Sequence, residues 1–445
     1  MLSDAGLIPT AVAAPPTDDP APPALGRVEA RPTRAGRVAR LGSWTLVLAL
    51  FGLNGWWAWE DARPVVGLKV IAAWLRRGHH DEARAALRDR LRRSPYDGEA
   101  RILLAQALAA RGDVIGCAEQ LHRVPSWWPG KREAQYREGQ AYMEANRAHP
   151  AEAAWLACLE DDPLHPTPLV YVGDARRELL KLYAEQGRWD EFRDVVWRAY
   201  DLADPIGPVR LLVMLLRAEL ERIDPQIVAV TMRRYVAVDP DDWESRRALG
   251  RNEQLLGHHD AATRHFRACL AARPDDPRVW RDWLSLLYEE GDGGGLAAAV
   301  ARLPATVGGD AEIAKYRGLV RERAGDLPGA AAAYTDAAQL DPFQQAYQMH
   351  LVRVEARLGH RDRADAHLRA AEPLRAARAE LRDAYVRYVD VTNRPHPDRA
   401  ELSAATARLA DLCRTLGWIR AAESWTRLIP HPSPPAGIAD VPAGG

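Results

Sequence analysis

From residue 61 onward, apolar positions recur with a helical period, and short glycine-containing turns separate one apolar stretch from the next. A first helix is predicted to end at a turn that contains Gly257. In the second helix Ala262, Phe266 and Cys269 are spaced i, i+4 and i+7, which places them on one face. Pro274 ends that second helix, because its ring and missing N–H are not tolerated in a helix interior. The pattern predicts a helical hairpin that buries its apolar side only against other hairpins.

The hairpin pattern repeats every 34 residues in the second half of the chain. Small residues recur at the turn and where the two helices cross, and larger residues recur where one hairpin would pack on the next. The four series are Gly257, Gly291, Gly325 and Gly359; Ala262, Leu296, Ala330 and Ala364; Phe266, Val300, Tyr334 and Leu368; and Cys269, Leu303, Ala337 and Ala371. Four series with one period predict stacked hairpins rather than a single globular core.

Ten copies of the hairpin can be placed along the chain, and some of them are irregular. Three are clear, at 136–163, 243–277 and 312–342, and seven are weaker, at 64–96, 97–125, 172–205, 208–240, 277–304, 344–374 and 398–430. The copy at 208–240 has Asp224 and Pro225 in place of the turn glycine, and Pro304 shortens another copy. A further helix near 377–391 has no predicted partner.

The 34-residue unit resembles the tetratricopeptide repeat, which prefers small and large residues at such positions. The copy that fits best carries Leu249, Gly250, Gly257, Ala262, Phe266, Cys269 and Pro274. The resemblance implies an all-α fold, a right-handed superhelical solenoid of antiparallel helix pairs over residues 61–430. It also implies a role in protein–protein interaction.

The N-terminal 60 residues differ from the repeats. Residues 1–40 are rich in Pro, Ala and Arg and are expected to be a disordered tail, as are residues 431–445. Residues 41–60 begin with 19 positions without a formal charge, enough for one transmembrane helix. Five arginines precede this segment, so the positive-inside rule predicts a cytoplasmic N-terminus and periplasmic repeats at a bacterial inner membrane. A cleaved signal peptide is the alternative.

Two turns are unusual because they pair histidines with an acid. The stretch "RGHHDEARAAL", 77–87, is nearly repeated as "LGHHDAATRHF", 256–266. We interpret both, and the related turn of Gly359 and Asp362, as turns in which the glycine adopts a positive φ and the aspartate (Asp81, Asp260 or Asp362) caps the second helix. "GRWDEF", 187–192, keeps the glycine and the acid without a histidine. No metal site and no cofactor is predicted.

Composition narrows the functional classes. The 60 basic and 61 acidic residues give no electrostatic case for nucleic-acid binding. The four cysteines form no CxxC pair and are predicted to fill cores, with a disulfide as the alternative. The sequence has no HExxH, GxSxG or phosphate-loop motif. A binding protein is therefore expected, and an enzyme with a histidine-based site is the less favoured hypothesis.

In a stacked array the first helices of the hairpins line a concave face. Eight residues on these helices form the candidate peptide-binding groove: Arg247, Arg251, Arg281, Tyr288, Lys315, Tyr316, Met349 and Arg353. Cations beside aromatic side chains suit an acidic or C-terminal peptide; the alternative is a solvated face balanced by Glu244, Asp282 and Glu312. The predicted function is a membrane-anchored scaffold or adaptor for a protein partner. A chaperone-like envelope assembly factor for exported clients is the alternative.

Overall fold

The computed structural model describes residues 65–160, 169–202 and 207–429, and its regular structure there is entirely helical, without a strand. Besides one 3₁₀ turn, Ala305–Val307, these residues form twenty α-helices. They are α1 Leu68–Arg76, α2 His80–Arg93, α3 Gly98–Ala109, α4 Val114–His122, α5 Lys131–Glu144, α6 Ala148–Leu159, α7 Leu169–Gln186, α8 Trp189–Asp201, α9 Pro208–Leu220, α10 Pro225–Val238, α11 Trp243–Leu255, α12 His259–Ala272, α13 Pro277–Glu289, α14 Gly293–Ala301, α15 Ala311–Arg323, α16 Leu327–Leu340, α17 Gln345–Arg357, α18 Arg361–Thr392, α19 Arg399–Thr415 and α20 Ile419–Arg427. The all-α prediction is confirmed for these residues.

Successive helices are numbered as hairpins 1 (α1–α2) to 10 (α19–α20), and the two helices of each hairpin pack on each other except α9 and α10 of hairpin 5. Within the described ranges, no helix combines the length and the apolar character needed to cross a membrane. The predicted tails at 1–40 and 431–445 and the predicted transmembrane helix at 41–60 lie outside those ranges.

Glycines at the hairpin turns have the predicted left-handed conformation. Gly78, Gly257 and Gly359 have φ of 83°, 79° and 83°, where a side chain would be strained. A Cβ added at any of the three would meet no atom within 4 Å. The requirement for glycine at these turns is therefore conformational and not one of space.

A second glycine position allows the two helices of a hairpin to approach closely. A Cβ built on Gly250 in α11 would lie 2.7 Å from the Phe266 ring in α12, and Phe266 is fully buried. Gly318 and Tyr334 make the same contact two 34-residue repeats later, where a Cβ on Gly318 would lie 2.5 Å from the Tyr334 ring. The predicted role of the small residues is confirmed here. Leu368, in the same series as Phe266, is instead largely exposed.

The predicted caps at Asp81, Asp260 and Asp362 are wrong. All three aspartates lie in the first turn of their helix, and the N-cap positions are His79, His258 and His360. A capping side chain must sit directly after the glycine, as Asp113 does when it accepts from the N–H of Gly116 (2.9 Å). The three predicted caps stand two residues too late, where they can act only on the helix dipole.

The irregular copies are related to one another in space. Asp224 caps α10 after an extended connection, 221–224, that replaces the glycine turn. As a result α9 packs mainly against α8 and α20. Leu212 and Leu216 of α9 are buried with Trp425 of hairpin 10. Helix α9 therefore leaves the stack and joins the end of the array, while α10 stays packed on α11.

The helix predicted near 377–391 is not separate. It continues α18, a single helix of 32 residues that contains Pro373. Proline removes one backbone hydrogen bond, but Ala371, Leu374 and Ala377 on both sides of it are buried, and this packing keeps the helix continuous. The extension of α18 packs on α19 and belongs to the same apolar cluster as Leu212.

Candidate peptide-binding groove

Six of the eight predicted groove residues lie on three consecutive first helices, which we call the α13–α15–α17 face. Arg281 and Tyr288 belong to α13, Lys315 and Tyr316 to α15, and Met349 and Arg353 to α17. The helices are linked side by side. The Tyr288 and Tyr316 rings meet edge to face at 6.2 Å between centroids, and Arg353 Nη2 donates to Glu322 Oε2 of α15 (2.6 Å).

Exposure on this face is uneven. The Tyr288 and Met349 side chains are both exposed, at 41% of their full area, and Arg353 is about half exposed. Tyr316 is 4% exposed, so its prediction as a groove-surface residue is wrong. Its ring instead supports neighbours, since Lys315 Nζ lies 4.2 Å from the ring centroid.

The prediction that Arg247 lines an open groove is also wrong. Arg247 is 3% exposed; it donates to Asp282 Oδ2 (2.8 Å) and to the Gln186 carbonyl (3.3 Å). The Arg251 side chain is 37% exposed and lies 3.6 Å from Asp282, with Nη1 at 3.5 Å from the Gly187 carbonyl. Because α9 has left the stack, the turn of hairpin 4 lies against α11 and covers the place where a ligand was expected.

Each remaining cation of the face has an acidic neighbour. Arg281 lies 3.5 Å from Asp310, and Lys315 pairs with Glu312. The alternative prediction, a solvated face whose cations are balanced by nearby acids, is therefore correct in part. Glu312 balances the charge of Lys315, and Asp282 balances that of Arg247. The third proposed counter-ion, Glu244, pairs with Arg188 instead.

The pairing at Glu322 differs from the one-to-one pairs above, because its single carboxylate is shared by two guanidinium groups. Arg353 and Arg357 lie 2.6 and 3.0 Å from its oxygens, and both are half exposed. Burial acts to raise the pKa of Glu322, but the hydrogen bonds from Arg353, Tyr334 and Arg357 lower it overall. Because two cations share one anion, this site has one positive charge in excess and can bind one more carboxylate.

Sequence reasoning missed Arg357, Arg323 and His350 on this face. Arg357 follows Arg353 by one helical turn, which is a signal the sequence contains. Arg323 lies over the Tyr288 ring at 5.5 Å. His350 stacks on Tyr334 at 4.7 Å between ring centroids, and burial, followed by the charge of Arg353, lowers its pKa to about 4.

The turn histidines satisfy buried glutamates. His258 Nδ1 lies 2.7 Å from Glu253, and His360 Nδ1 lies 2.6 Å from Glu355, the same pair three repeats later. Burial alone would raise the pKa of Glu253, and the bonds from His258 and Arg233 more than offset this, so it is lowered. These histidines therefore have a structural role that spacing alone did not indicate.

One set of residues offers metal-ligand atoms at close range. His149, Glu152 and Glu244 each place such an atom within 4.8 Å of the others. The buried Arg188 already donates 2.7 Å bonds to both carboxylates, so a cation occupies the position a metal would take. The sequence gives no signal for this cluster, because its members come from hairpins 3 and 6, which are far apart along the chain.

A cavity of about 560 Å³ lies where hairpins 4 and 5 meet hairpin 10. Its walls are mainly aromatic and aliphatic, and they include Trp189, Phe192, Trp197, Leu212, Leu215, Leu216, Trp418, Ile419 and Trp425. Of the charged groups there, Arg193 lies 3.6 Å from Glu219, and Arg420 pairs with Asp201. Such a cavity suits an uncharged apolar group.

The four cysteines are free and buried. Burial raises the pKa of Cys117 and Cys158 to about 11 and of Cys269 and Cys413 to about 12. The thiols are therefore protonated at neutral pH and poor nucleophiles. Their predicted role as core residues is confirmed.

The sequence matches no protein-family model and no curated protein. Solved structures match it in part. The MamA protein of Desulfovibrio magneticus RS-1 shares 19% identity over 38% of this chain and 96% of that one, with a TM-score of 0.31. The tetratricopeptide protein TTC0263 of Thermus thermophilus shares 21% identity over 40% of this chain and 95% of that one, with a TM-score of 0.32. A chain of the Cut9–Hcn1 hetero-tetramer shares 14% identity over 81% of this chain and 79% of that one, with a TM-score of 0.33. Values this low assign neither a family nor a function.

Proposed function

We propose that this chain is a membrane-anchored interaction scaffold, a right-handed array of tetratricopeptide-like hairpins that captures a peptide of a partner protein. Residues 41–60 anchor it in a bacterial inner membrane, and the repeats are displayed on the non-cytoplasmic side. The proposed mechanism is binding without chemistry: tethering raises the effective concentration of whatever the array holds.

The observation that carries the binding proposal is the excess of cations at Glu322. Arg353 and Arg357 share this one carboxylate, and a guanidinium group binds a second carboxylate through charge-assisted bonds. Tyr288 and Met349 offer exposed apolar surface on the same face. The fitting ligand is a peptide with a carboxylate, either acidic or C-terminal, next to an apolar side chain.

The test is a binding titration of the full chain in detergent with fluorescein-labelled peptides that end in Phe. One set carries a free C-terminal carboxylate and the matched set is amidated. We expect the free acids to bind at least ~10-fold tighter, as a charge-assisted bond provides. Arg353→Gln with Arg357→Gln should remove this preference.

Arg217→Gln is the matched control for the arginine variants. Arg217 lies on α9, outside the α13–α15–α17 face, and forms an exposed pair with Glu221 at the end of that helix, so its loss should leave the preference intact. Equal affinity for acids and amides in the unmodified chain would overturn the ligand class. Extraction of the chain from membranes by alkaline carbonate would overturn the anchor, and protection of the repeats from protease in spheroplasts would overturn the orientation.

A further inference from the structure

Charge is unevenly distributed along the array. The chain as a whole has 60 basic and 61 acidic residues, yet residues 65–131, which cover hairpins 1 and 2 and the connections after them, have 12 basic and 7 acidic ones. The excess of five positive charges therefore belongs to the hairpins nearest the predicted membrane segment.

This excess is concentrated at one end of the two hairpins. In antiparallel hairpins the first helices α1, α3 and α5 all begin at the end where the connections 94–97 and 123–130 lie, and the glycine turns lie at the other end. Seven of the 12 basic residues fall within one helical turn of the first end: Lys69, Arg90, Arg92, Arg93, Arg101, Arg123 and Lys131. Three of the seven acidic residues, Asp97, Glu99 and Glu119, lie there too. We call it the basic end.

Two exposed aromatic side chains project from the same end. Tyr96 is 72% exposed and Trp127 is 57% exposed. Their connections lie side by side, because the Trp128 ring packs on Gly98, where an added Cβ would lie 2.5 Å from it. Arg101 Nε holds the first connection by donating to the Pro95 carbonyl (3.1 Å). The aromatic rings are thus displayed from fixed positions.

Three cations at this end are paired with acids, Arg90 with Asp97 and both Arg92 and Arg93 with Asp89, but others have no acid in close contact. Lys131 Nζ donates to the His122 carbonyl (3.0 Å), and Arg101 donates to the Pro95 carbonyl and to Gln120 Oε1 (3.2 Å). Arg123 lies 3.9 Å from its nearest acid, Glu119, and both are well exposed. Their charge is available to an external anion.

Exposed Trp and Tyr among basic residues is the chemistry of a bilayer interface, where the rings sit at headgroup depth and the cations meet anionic lipid. We infer that the basic end of hairpins 1 and 2 docks on the surface of a membrane containing anionic phospholipid. This rests on the proposed anchor, in which residues 61–67 connect the membrane segment to the start of α1, at the basic end.

The test places an environment-sensitive probe at each end of hairpin 2 in the full chain. Ser126→Cys, next to Trp127, and the control Ala110→Cys, at the glycine turn, are each labelled with a nitrobenzoxadiazole dye; both sites are exposed. The four native cysteines are buried and should remain unlabelled. The chain is reconstituted in vesicles of phosphatidylcholine, alone or mixed with phosphatidylglycerol.

We expect the dye at position 126 to brighten and shift to the blue in mixed vesicles, and the dye at position 110 to stay unchanged. Each basic residue near an anionic surface strengthens binding about fivefold. Arg123→Gln with Lys131→Gln should therefore weaken docking about 25-fold, whereas Arg76→Gln with Arg111→Gln, at the other end, should have little effect.

Docking and anchoring can fail separately. A chain that resists carbonate extraction but shows no response at position 126 overturns the docking and leaves the anchor intact. If carbonate extracts the chain, the anchor fails, and the response at position 126 on adding mixed vesicles then decides docking by itself. Equal responses at positions 126 and 110, or in both lipid compositions, also overturn the inference.

Discussion

Replacing Gly250 by alanine tests whether the helices of a hairpin are held together by a specific close approach. In a helix interior this change alone gains about 1 kcal/mol. The new methyl group would, however, lie 2.7 Å from the Phe266 ring, and overpacking of this kind costs about 1–3 kcal/mol. The expected net effect is a loss of about 1 kcal/mol in the free energy of unfolding.

The same change should reverse its sign when the ring is absent. In a Phe266→Leu background, Gly250→Ala should stabilise the protein by up to about 1 kcal/mol, so the two positions should couple by about 2 kcal/mol. Gly257→Ala is the control. It meets no atom within 4 Å but has φ of 79°, so it should cost about 1 kcal/mol in either background.

Urea unfolding followed by far-UV circular dichroism measures these values. Amide hydrogen exchange of α11 and α12 should accompany it, because repeat arrays can unfold in parts. An equal effect of Gly250→Ala in both backgrounds would refute the close-approach argument. An effect of Gly257→Ala that depends on Phe266 would refute the separation of backbone conformation from space.

Three further predictions concern titration, buried charge and thiols. Because the pKa of His350 is lowered to about 4, its neutral form is favoured in the folded state. The folding stability that this provides is complete above the ordinary pKa of histidine and is lost as the pH falls towards 4. This should amount to about 2 kcal/mol after allowance for solvent screening, and His350→Gln should flatten the stability profile between pH 6.5 and 4. Arg188→Met should destabilise by about 3–5 kcal/mol, since it leaves Glu152 and Glu244 buried without their shared cation; a normal midpoint in urea would contradict this. The folded chain should not react with a thiol reagent at pH 8, whereas the unfolded chain should show all four thiols; rapid reaction of the folded chain would show that the thiols are accessible.

The repeat itself could be predicted because each position has a local physical cause. A glycine turn needs a positive φ, and the pair of Gly250 and Phe266 follows from the spacing of small and large residues. The irregular part could not be predicted in the same way. The sequence shows that Asp224 and Pro225 break the pattern, but only packing decides that α9 then joins hairpin 10.

The groove was predicted less well than the hairpins, for the same reason. Its residues were assigned on the assumption that every first helix faces solvent. That assumption holds for Tyr288, Met349 and Arg353 and is wrong for Arg247, because hairpin 4 lies against α11. Pairings such as that of Glu322 with two arginines depend on neighbouring hairpins and are not visible in the spacing.

The most direct test of the scaffold proposal is site-specific photo-crosslinking in native membranes. A benzoylphenylalanine is placed at Tyr288, on the α13–α15–α17 face, or at Val386, an exposed position on α18. The account predicts a partner adduct at position 288 that is lost with Arg353→Gln and Arg357→Gln, and none at position 386. Adducts of equal yield at both positions, or an adduct at 288 that survives the arginine changes, would contradict it.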